Sequence, residues 1–305
     1  MILHQLAQDE IRHRLTHDRL CLRTGPFLVS IRTPIPQLQA ALTTLYADFP
    51  IVDDPPFADF HVDIERVGGW HRWLGRSASF AAGGQVLLAP FRLELATAFF
   101  EWGLNGCIAQ STHHYLLLHG AVVERNGRAV TLLGRSGSGK STLCAALTLA
   151  GWRLLSDEFT LIVPGSTGVI PLARPISLKN ESIDLVAALA PDASFGPRAV
   201  TLRKGLITHL RPPRESVTRM DEPAQLSRFV FVQYDPAAGA AFTPMSPPAA
   251  MTQIARQAFN YGIRGRQGFD HLTWLVDQCP CGTLTYGRVR DAVSLLERDV
   301  ISDAA

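Results

Sequence analysis

The chain has 305 residues, with 29 Lys+Arg against 27 Asp+Glu, a formal charge of +2, and 47% hydrophobic residues. That apolar share suffices for one or two buried cores and excludes intrinsic disorder, and the near-neutral balance offers no bulk charge for holding nucleic acid. No run approaches the roughly 18 apolar residues of a membrane helix, and Met1 to Arg14 lacks the apolar centre of a signal peptide, so a soluble cytoplasmic protein without a membrane span is the expectation.

From the start of the chain to about residue 100, short apolar runs alternate with turn signals. Phe27 to Ile31 and Phe60 to Ile64 read as strands, punctuated by Asp53-Asp54-Pro55-Pro56 and Gly68-Gly69. Phe91 to Gln110 reads as a helix with Leu93, Leu95, Ala96, Phe99 and Phe100 on its apolar face. These elements predict a small N-terminal α+β domain, residues 1–112. Trp70, Trp73 and Trp102 are expected as core or interface aromatics.

The pattern changes from His113, and residues 113–305 are expected to form an α/β domain. Tyr115 to Leu118 is a buried strand ending at His119-Gly120. Ala121 to Glu124 and Ala129 to Leu133 are strands joined by Asn126-Gly127, a strong hairpin turn. Thr142 to Ala150 is a helix stopped by Gly151, Leu154-Leu155 leads to Ser156-Asp157-Glu158, and Phe159 to Val163 is another strand. Beyond Pro164 the sequence predicts a helix over Glu181 to Leu189, a basic Pro-rich loop from Arg203 to Arg219, and a strand at Phe229 to Gln233. Three helices follow, at Ala249 to Tyr261, His271 to Val276 and Val289 to Arg298.

Gly134-Arg135-Ser136-Gly137-Ser138-Gly139-Lys140-Ser141 fits G-x-x-x-x-G-K-[ST] in full, between an apolar strand and a helix. Its glycines let successive N–H groups turn inward as an anion nest at a helix N-terminus. Residues 134–142, ending in Thr142, are therefore the expected cradle for a nucleoside triphosphate. Lys140 would reach the β- and γ-phosphates, and Ser141 would help hold Mg²⁺. Asp157 lies 17 residues after Lys140, at the end of the next strand. Two adjacent acids there suit accepting a proton from an incoming hydroxyl and positioning that group or the metal. A solvated turn is the plainer alternative for Asp157-Glu158. An ABC-type ATPase is excluded by the missing Ser-Gly-Gly-type signature, and no Asn-Lys-x-Asp guanine reader supports a GTPase. His119 ends the strand before the hairpin, where an imidazole can orient an acid. His113 and His114 read as surface or cap residues.

These residues at these spacings resemble the catalytic domain of HPr kinase/phosphorylase: His119-Gly120, then Gly134 to Ser141, then Asp157-Glu158 after Gly151-Trp152-Arg153-Leu154. A longer pattern is similar to the divergent HPr-kinase-related kinases, the HprK-related kinase A branch. It comprises Leu116 to Ala121, Ser156 to Phe159, Arg174 to Asn180, Phe259-Asn260-Tyr261 with Gly268-Phe269, and Phe57 to His61. The resemblance implies a P-loop kinase fold and transfer from ATP, with Mg²⁺, to a hydroxyl, most naturally a serine of a protein or peptide. Within that resemblance Asp157 is the base and a metal ligand beside Ser141, His119 pairs with Glu158, and Lys140 and the loop hold the triphosphate. Two departures stand out. The second acid is Glu158 rather than aspartate, and the Glu-Ile-Arg-Gly signature is missing, with Lys179-Asn180-Glu181 in its place. These remove the grounds for expecting phosphorolysis, or HPr as acceptor. Hexamers occur in the parent family, so a homo-oligomer is among the states the resemblance admits.

Two other readings stay open: a small-molecule kinase, since such loops also serve metabolite kinases, and a non-transferring ATP-binding switch. Lys179 and Asn180 are candidates for touching phosphate or for capping the next helix. Arg203-Lys204 and Arg211 to Arg214 read as a solvated loop, with a phosphoryl-clamping arm as the functional alternative. Five cysteines, with Cys279-Pro280-Cys281 the only close pair, fit neither a disulfide scaffold nor a usual zinc spacing, and ordinary loop and core thiols are expected.

Overall fold

Period-two runs in the first part of the chain become a sheet with one apolar face. The computed structural model describes residues 1–67, 77–202 and 204–302. Gly68, Gly69, Trp70, Trp73 and Arg203, singled out above, lie outside the described residues. In chain order the first elements are α1 (Gln8–His13), β1 (Leu20–Thr24), β2 (Phe27–Arg32), α2 (Pro36–Leu45), β3 (Phe60–Arg66), β4 (Ser77–Ala82), β5 (Gln85–Arg92) and α3 (Ala96–Ser111). Strands β1 to β5 lie side by side in sequence order, antiparallel except for the parallel β2–β3 pair. In β3, Phe60, Val62 and Ile64 are buried while His61 and Glu65 face out, as a half-buried strand requires.

The helix expected from Phe91 starts later. Phe91 and Arg92 finish β5, Leu93–Leu95 makes one 3₁₀ turn, and α3 begins at Ala96. Phe91 is paired with Ala78 across the sheet and stacks on Phe99 with ring centroids 4.1 Å apart. Tertiary packing, rather than helical periodicity, decides its conformation.

The elements that follow are β6 (Leu116–His119), β7 (Ala121–Arg125), β8 (Arg128–Leu133), α4 (Lys140–Leu149), β9 (Arg153–Ser156), β10 (Phe159–Ile162), β11 (Gly168–Ile170), β12 (Ile176–Lys179) and α5 (Glu181–Leu189). Then come β13 (Ala199–Thr201), β14 (Gly205–Leu210), α6 (Arg214–Thr218), β15 (Ala224–Tyr234), β16 (Ala241–Pro244), α7 (Pro247–Ala255), α8 (Tyr261–Gln278), β17 (Cys281–Tyr286) and α9 (Val289–Ser302). Among the described residues a nine-stranded mixed sheet runs β6-β10-β11-β15-β8-β7-β9, with β17 and then β16 joined to β15. A smaller sheet, β12-β14-β13, is antiparallel. The β7–β8 hairpin turns through Asn126 and Gly127, both at positive φ (55° and 79°), the geometry a two-residue primed turn demands.

Helices cover both faces of the large sheet. One apolar cluster joins β7, β8 and β15 to α4, α5 and α9 through Leu143, Leu147, Ile183, Val186 and Leu296. A second joins the opposite face to α7 and α8 through Ile254, Leu272 and Leu275. The core of the N-terminal sheet is not closed on itself. It runs on into Leu117, Phe159, Leu161, Leu172, Val217 and Met220 of the later part of the chain.

Three late segments differ from expectation. The basic Pro-rich stretch is largely ordered as β14 and α6, and Arg211 pairs with the buried Asp48 instead of facing solvent. The helix expected to reach Tyr261 stops at Ala255, because the backbone of residues 257–259 pairs with β6 instead, Gln257 accepting from the His119 N–H and Phe259 donating to the Leu117 carbonyl. The buried Asn260 then ties the chain down: its amide donates to the carbonyls of Tyr115 (2.7 Å) and Thr112 (3.2 Å), and its oxygen accepts from the Leu117 N–H (3.1 Å). The helix expected from His271 begins earlier, at Tyr261. The thiols of Cys279 and Cys281 donate to the carbonyls of Leu226 and Cys279. No described helix is long and apolar enough to cross a membrane.

On α3, a Cβ added at Gly103 would stand 2.4 Å from the Phe80 ring. Gly103→Ala is expected to destabilise the protein by about 1–3 kcal/mol through overpacking, read from urea denaturation midpoints at unchanged slope. A variant as stable as the parent would show that α3 can shift off β4.

Candidate active site

Strand direction brings the functional residues together. Strands β8, β15 and β17 are parallel, and their carboxyl ends lie level, with Leu133 opposite Phe231 and Tyr234 opposite Tyr286. Strand β9 is antiparallel to β7, which is antiparallel to β8, so Ser156 and then Asp157 emerge at that same edge. In open α/β sheets ligands bind outside the carboxyl ends of the strands. Here a cleft of about 760 Å³ opens there, lined in part by Lys140, Ser141, Asp157, Glu158, Lys179 and Lys204.

The glycine-rich loop links β8 to α4. Gly134 has φ 145°, and a Cβ there would stand 2.9 Å from the Val232 carbonyl. Gly139 has φ 93°, and a Cβ there would stand 2.5 Å from the Tyr286 hydroxyl, which itself donates to the Gly139 carbonyl at 3.2 Å. The Tyr234 N–H donates to the Ser138 carbonyl at 3.1 Å. Two parallel strands thus hold the loop from behind. Lys140 is the first residue of α4 and is buried, its ammonium donating to the carbonyls of Gly134 (2.6 Å) and Arg135 (3.2 Å). Burial lowers its pKa, against the opposing pull of Asp157 and Glu158. Ser136, Gly137, Gly139, Ser141 and Thr142 line the cleft, whereas the Ser138 hydroxyl is buried without a partner.

Asp157 is buried. Its Oδ2 accepts the Ser177 N–H at 3.0 Å, and its Oδ1 has no partner. Desolvation first, then the charge of Glu158, raises its pKa from 3.8 to about 7, while the Ser177 N–H and the Ser141 hydroxyl pull the other way. His119 Nδ1 lies 3.3 Å from the Glu158 carbonyl and 3.7 Å from its carboxylate, and its ring meets Phe259 edge to face. Burial lowers the pKa of His119 more than Glu158 raises it. His113 and His114 are exposed.

Lys179 and Asn180 both line the cleft. Asn180 occupies the N-cap of α5 at φ 51° without a side-chain cap bond, its Oδ1 instead accepting the Leu206 N–H. Lys204 lines the cleft with its ammonium 4.0 Å from the ring centre of Trp102, a cation–π contact. Tyr234 and Tyr286 also line the cleft, and no local pattern in the sequence marks a ring supplied from a distant strand.

A metal ion can be held by few groups here. Among the described residues no cluster of three or more His, Cys, Asp and Glu forms a metal site. The Ser141 hydroxyl, which lines the cleft beside Asp157, fits a Mg²⁺ that takes its remaining ligands from phosphate and water.

Residues 106–175 match the family described as SynChlorMet cassette protein ScmC. The HPr kinase/phosphorylase of Chloroherpeton thalassium is 27% identical over 116 residues, 37% of this chain. The match spans 34% of that relative's length, about a third. A solved structure, the Hpr(Ser) kinase/phosphatase of Coxiella burnetii, aligns over 62% of this chain and 99% of its own at 8% identity, with a TM-score of 0.31.

The raised pKa of Asp157 has a consequence for stability. Between pH 3.8 and about 7 the folded carboxyl keeps a proton that the unfolded chain has released. Stability of the ligand-free protein therefore falls as pH rises through that window, and is flat above it. Asp157→Asn is expected to melt several degrees above the parent at pH 8 and level with it near pH 4, by scanning calorimetry. Equal melting temperatures at pH 8 would show that the buried carboxylate costs nothing.

Proposed function

We propose that this chain is an ATP-dependent phosphotransferase that moves the γ-phosphoryl group to a hydroxyl, a serine of a protein or peptide. The observation that carries the reading is a loop lysine and a buried carboxyl, Asp157, lining one cleft at one sheet edge, the carboxyl with one oxygen anchored and the other partnerless. The HPr-kinase-like match supports a kinase-like function in general. In the proposed division of the chain, residues 113–305 form the kinase domain and residues 1–112 an N-terminal α+β domain.

In this mechanism Asp157 Oδ1 takes the proton of the acceptor hydroxyl as its oxygen bonds to the γ-phosphorus and the bond to the β-phosphate bridge breaks, releasing ADP. Mg²⁺ would be held by the Ser141 hydroxyl and by phosphate and would neutralise charge on the phosphate oxygens, which leaves Asp157 Oδ1 to the proton. The loop N–H groups and Lys140 hold the β- and γ-phosphates, with Lys179 and Lys204 offering further positive charge. His119 fixes Glu158 at the base of the cleft. Most of the rate then comes from alignment and charge stabilisation, because the transfer asks little covalent chemistry of the protein.

The test uses γ-labelled ATP with Mg²⁺, the purified protein and a size-fractionated cell extract. Label is expected in a polypeptide fraction, with Asp157→Asn lowering the rate by about 10²–10⁴-fold and Lys140→Ala being more damaging than Glu158→Gln. Label in the small-molecule fraction would make the acceptor a metabolite. Slow release of free phosphate, indifferent to Asp157, would overturn transfer in favour of an ATP-binding switch.

A further inference from the structure

Beside Asp157, along a pocket that it shares with Glu101, Asn105 and Arg174, lies a second polar cluster that the transfer mechanism does not use. Its centre is Arg174, fully buried two residues ahead of β12. Its Nη2 donates to Glu101 Oε2 at 2.5 Å, and its Nη1 donates to Asn105 Oδ1 at 2.6 Å. Tyr46 then donates its hydroxyl to the other Glu101 oxygen at 2.7 Å. Tyr46, Glu101 and Asn105 belong to the N-terminal part of the chain, whereas Arg174 belongs to the part that carries the candidate site.

What Arg174 holds is the start of β12. Three residues on, the Ser177 N–H anchors Asp157 Oδ2, and five residues on, Lys179 faces the cleft. On the other side β14 sets His209 opposite Ser177. One small pocket is lined jointly by Glu101, Asn105, Asp157, Arg174, Ser177 and His209, so the clamp and the back of the acid share a wall. A buried ion pair is weak evidence for stability, because packed apolar side chains of similar volume often serve as well or better. A guanidinium held by a carboxylate and an amide at once does fix the place of the backbone behind it.

We propose that Glu101 and Tyr46 are positioning residues for phosphoryl transfer, holding Arg174 so that the Ser177 N–H stays on Asp157 and giving the N-terminal part of the chain a role in the active site. The role in transfer rests on the phosphotransferase reading above, whereas the clamp itself does not.

The experiment compares full-length Glu101→Gln, Tyr46→Phe and Arg174→Lys with the parent by two readouts. One is label transfer from γ-labelled ATP to the polypeptide fraction, as rate at saturating ATP and half-saturating ATP concentration. The other is the amide proton resonance of Ser177 in serine-labelled protein. Glu101→Gln and Arg174→Lys are expected to lower the saturated rate about 100-fold, the scale of a small misplacement of a reacting group. The half-saturating ATP concentration should change by less than about threefold, since the triphosphate cradle is untouched. The Ser177 amide should move upfield as its bond to the carboxylate lengthens. Tyr46→Phe, which keeps the ion pair, should shift both readouts in the same direction by less, and it decides the matter if the charge variants do not fold. The double variant Glu101→Leu with Arg174→Met removes both charges, and is expected to fold while the rate stays low. A parental rate in that double variant, or an unmoved Ser177 resonance in every variant, would overturn the clamp. Parental transfer in Asp157→Asn would instead sink the phosphotransferase reading, leaving the Ser177 resonance to judge the clamp alone.

Discussion

A carboxylate and an ammonium withdrawn from water at one edge of one sheet set the terms for the rest of this chain. Each ion loses hydration that its immediate partners must offset. Lys140 recovers part of that loss from two loop carbonyls, and Asp157 recovers part from the Ser177 amide. Neither set of partners is available unless distant strands are in register. The loop that carries those carbonyls is held farther along, at Ser138 and Gly139, by Tyr234 and Tyr286 at the ends of β15 and β17, and the amide is placed by β12. The apolar clusters on both faces of the sheet are what make such a site affordable.

Much of the site was legible because its signals are local. A glycine pattern, a lysine, a hydroxyl and a following helix fall within nine residues, and the Asn126-Gly127 turn between β7 and β8 is specified by its own two residues. Helix α5 falls where its apolar spacing puts it. The supporting groups had no such signal. Tyr286 reaches Gly139 across 147 positions, and Arg174 reaches Glu101 across 73. A tyrosine that locks a loop and a tyrosine that fills a core are the same letter until the strands are paired. The late start of α3 and the break between α7 and α8 follow the same rule, since a stacked ring and backbone pairing with β6 overrule helical periodicity at those positions.

The basic stretch teaches the opposite lesson about charge. Proline and arginine together suggest a solvated loop, yet Arg211 is drawn to the buried Asp48, and Lys204 lies over Trp102 at the cleft. Arg219 spans Glu215 and Glu222 on the surface, where such pairs stabilise by well under 1 kcal/mol. Cationic side chains thus serve tertiary docking, a ligand cleft and surface ion pairs within sixteen residues of one another.

The continuity of the N-terminal core with Leu117, Phe159, Leu161, Leu172, Val217 and Met220 bears on how the chain is made. When the first hundred residues leave the ribosome, the apolar surface that completes their core is still being synthesised. At roughly 5–20 residues per second, Met220 follows several seconds to some twenty seconds later. Over that interval the sheet β1 to β5 has an uncovered greasy flank, a natural target for a holding chaperone. The nascent chain therefore reaches its final form only as a whole.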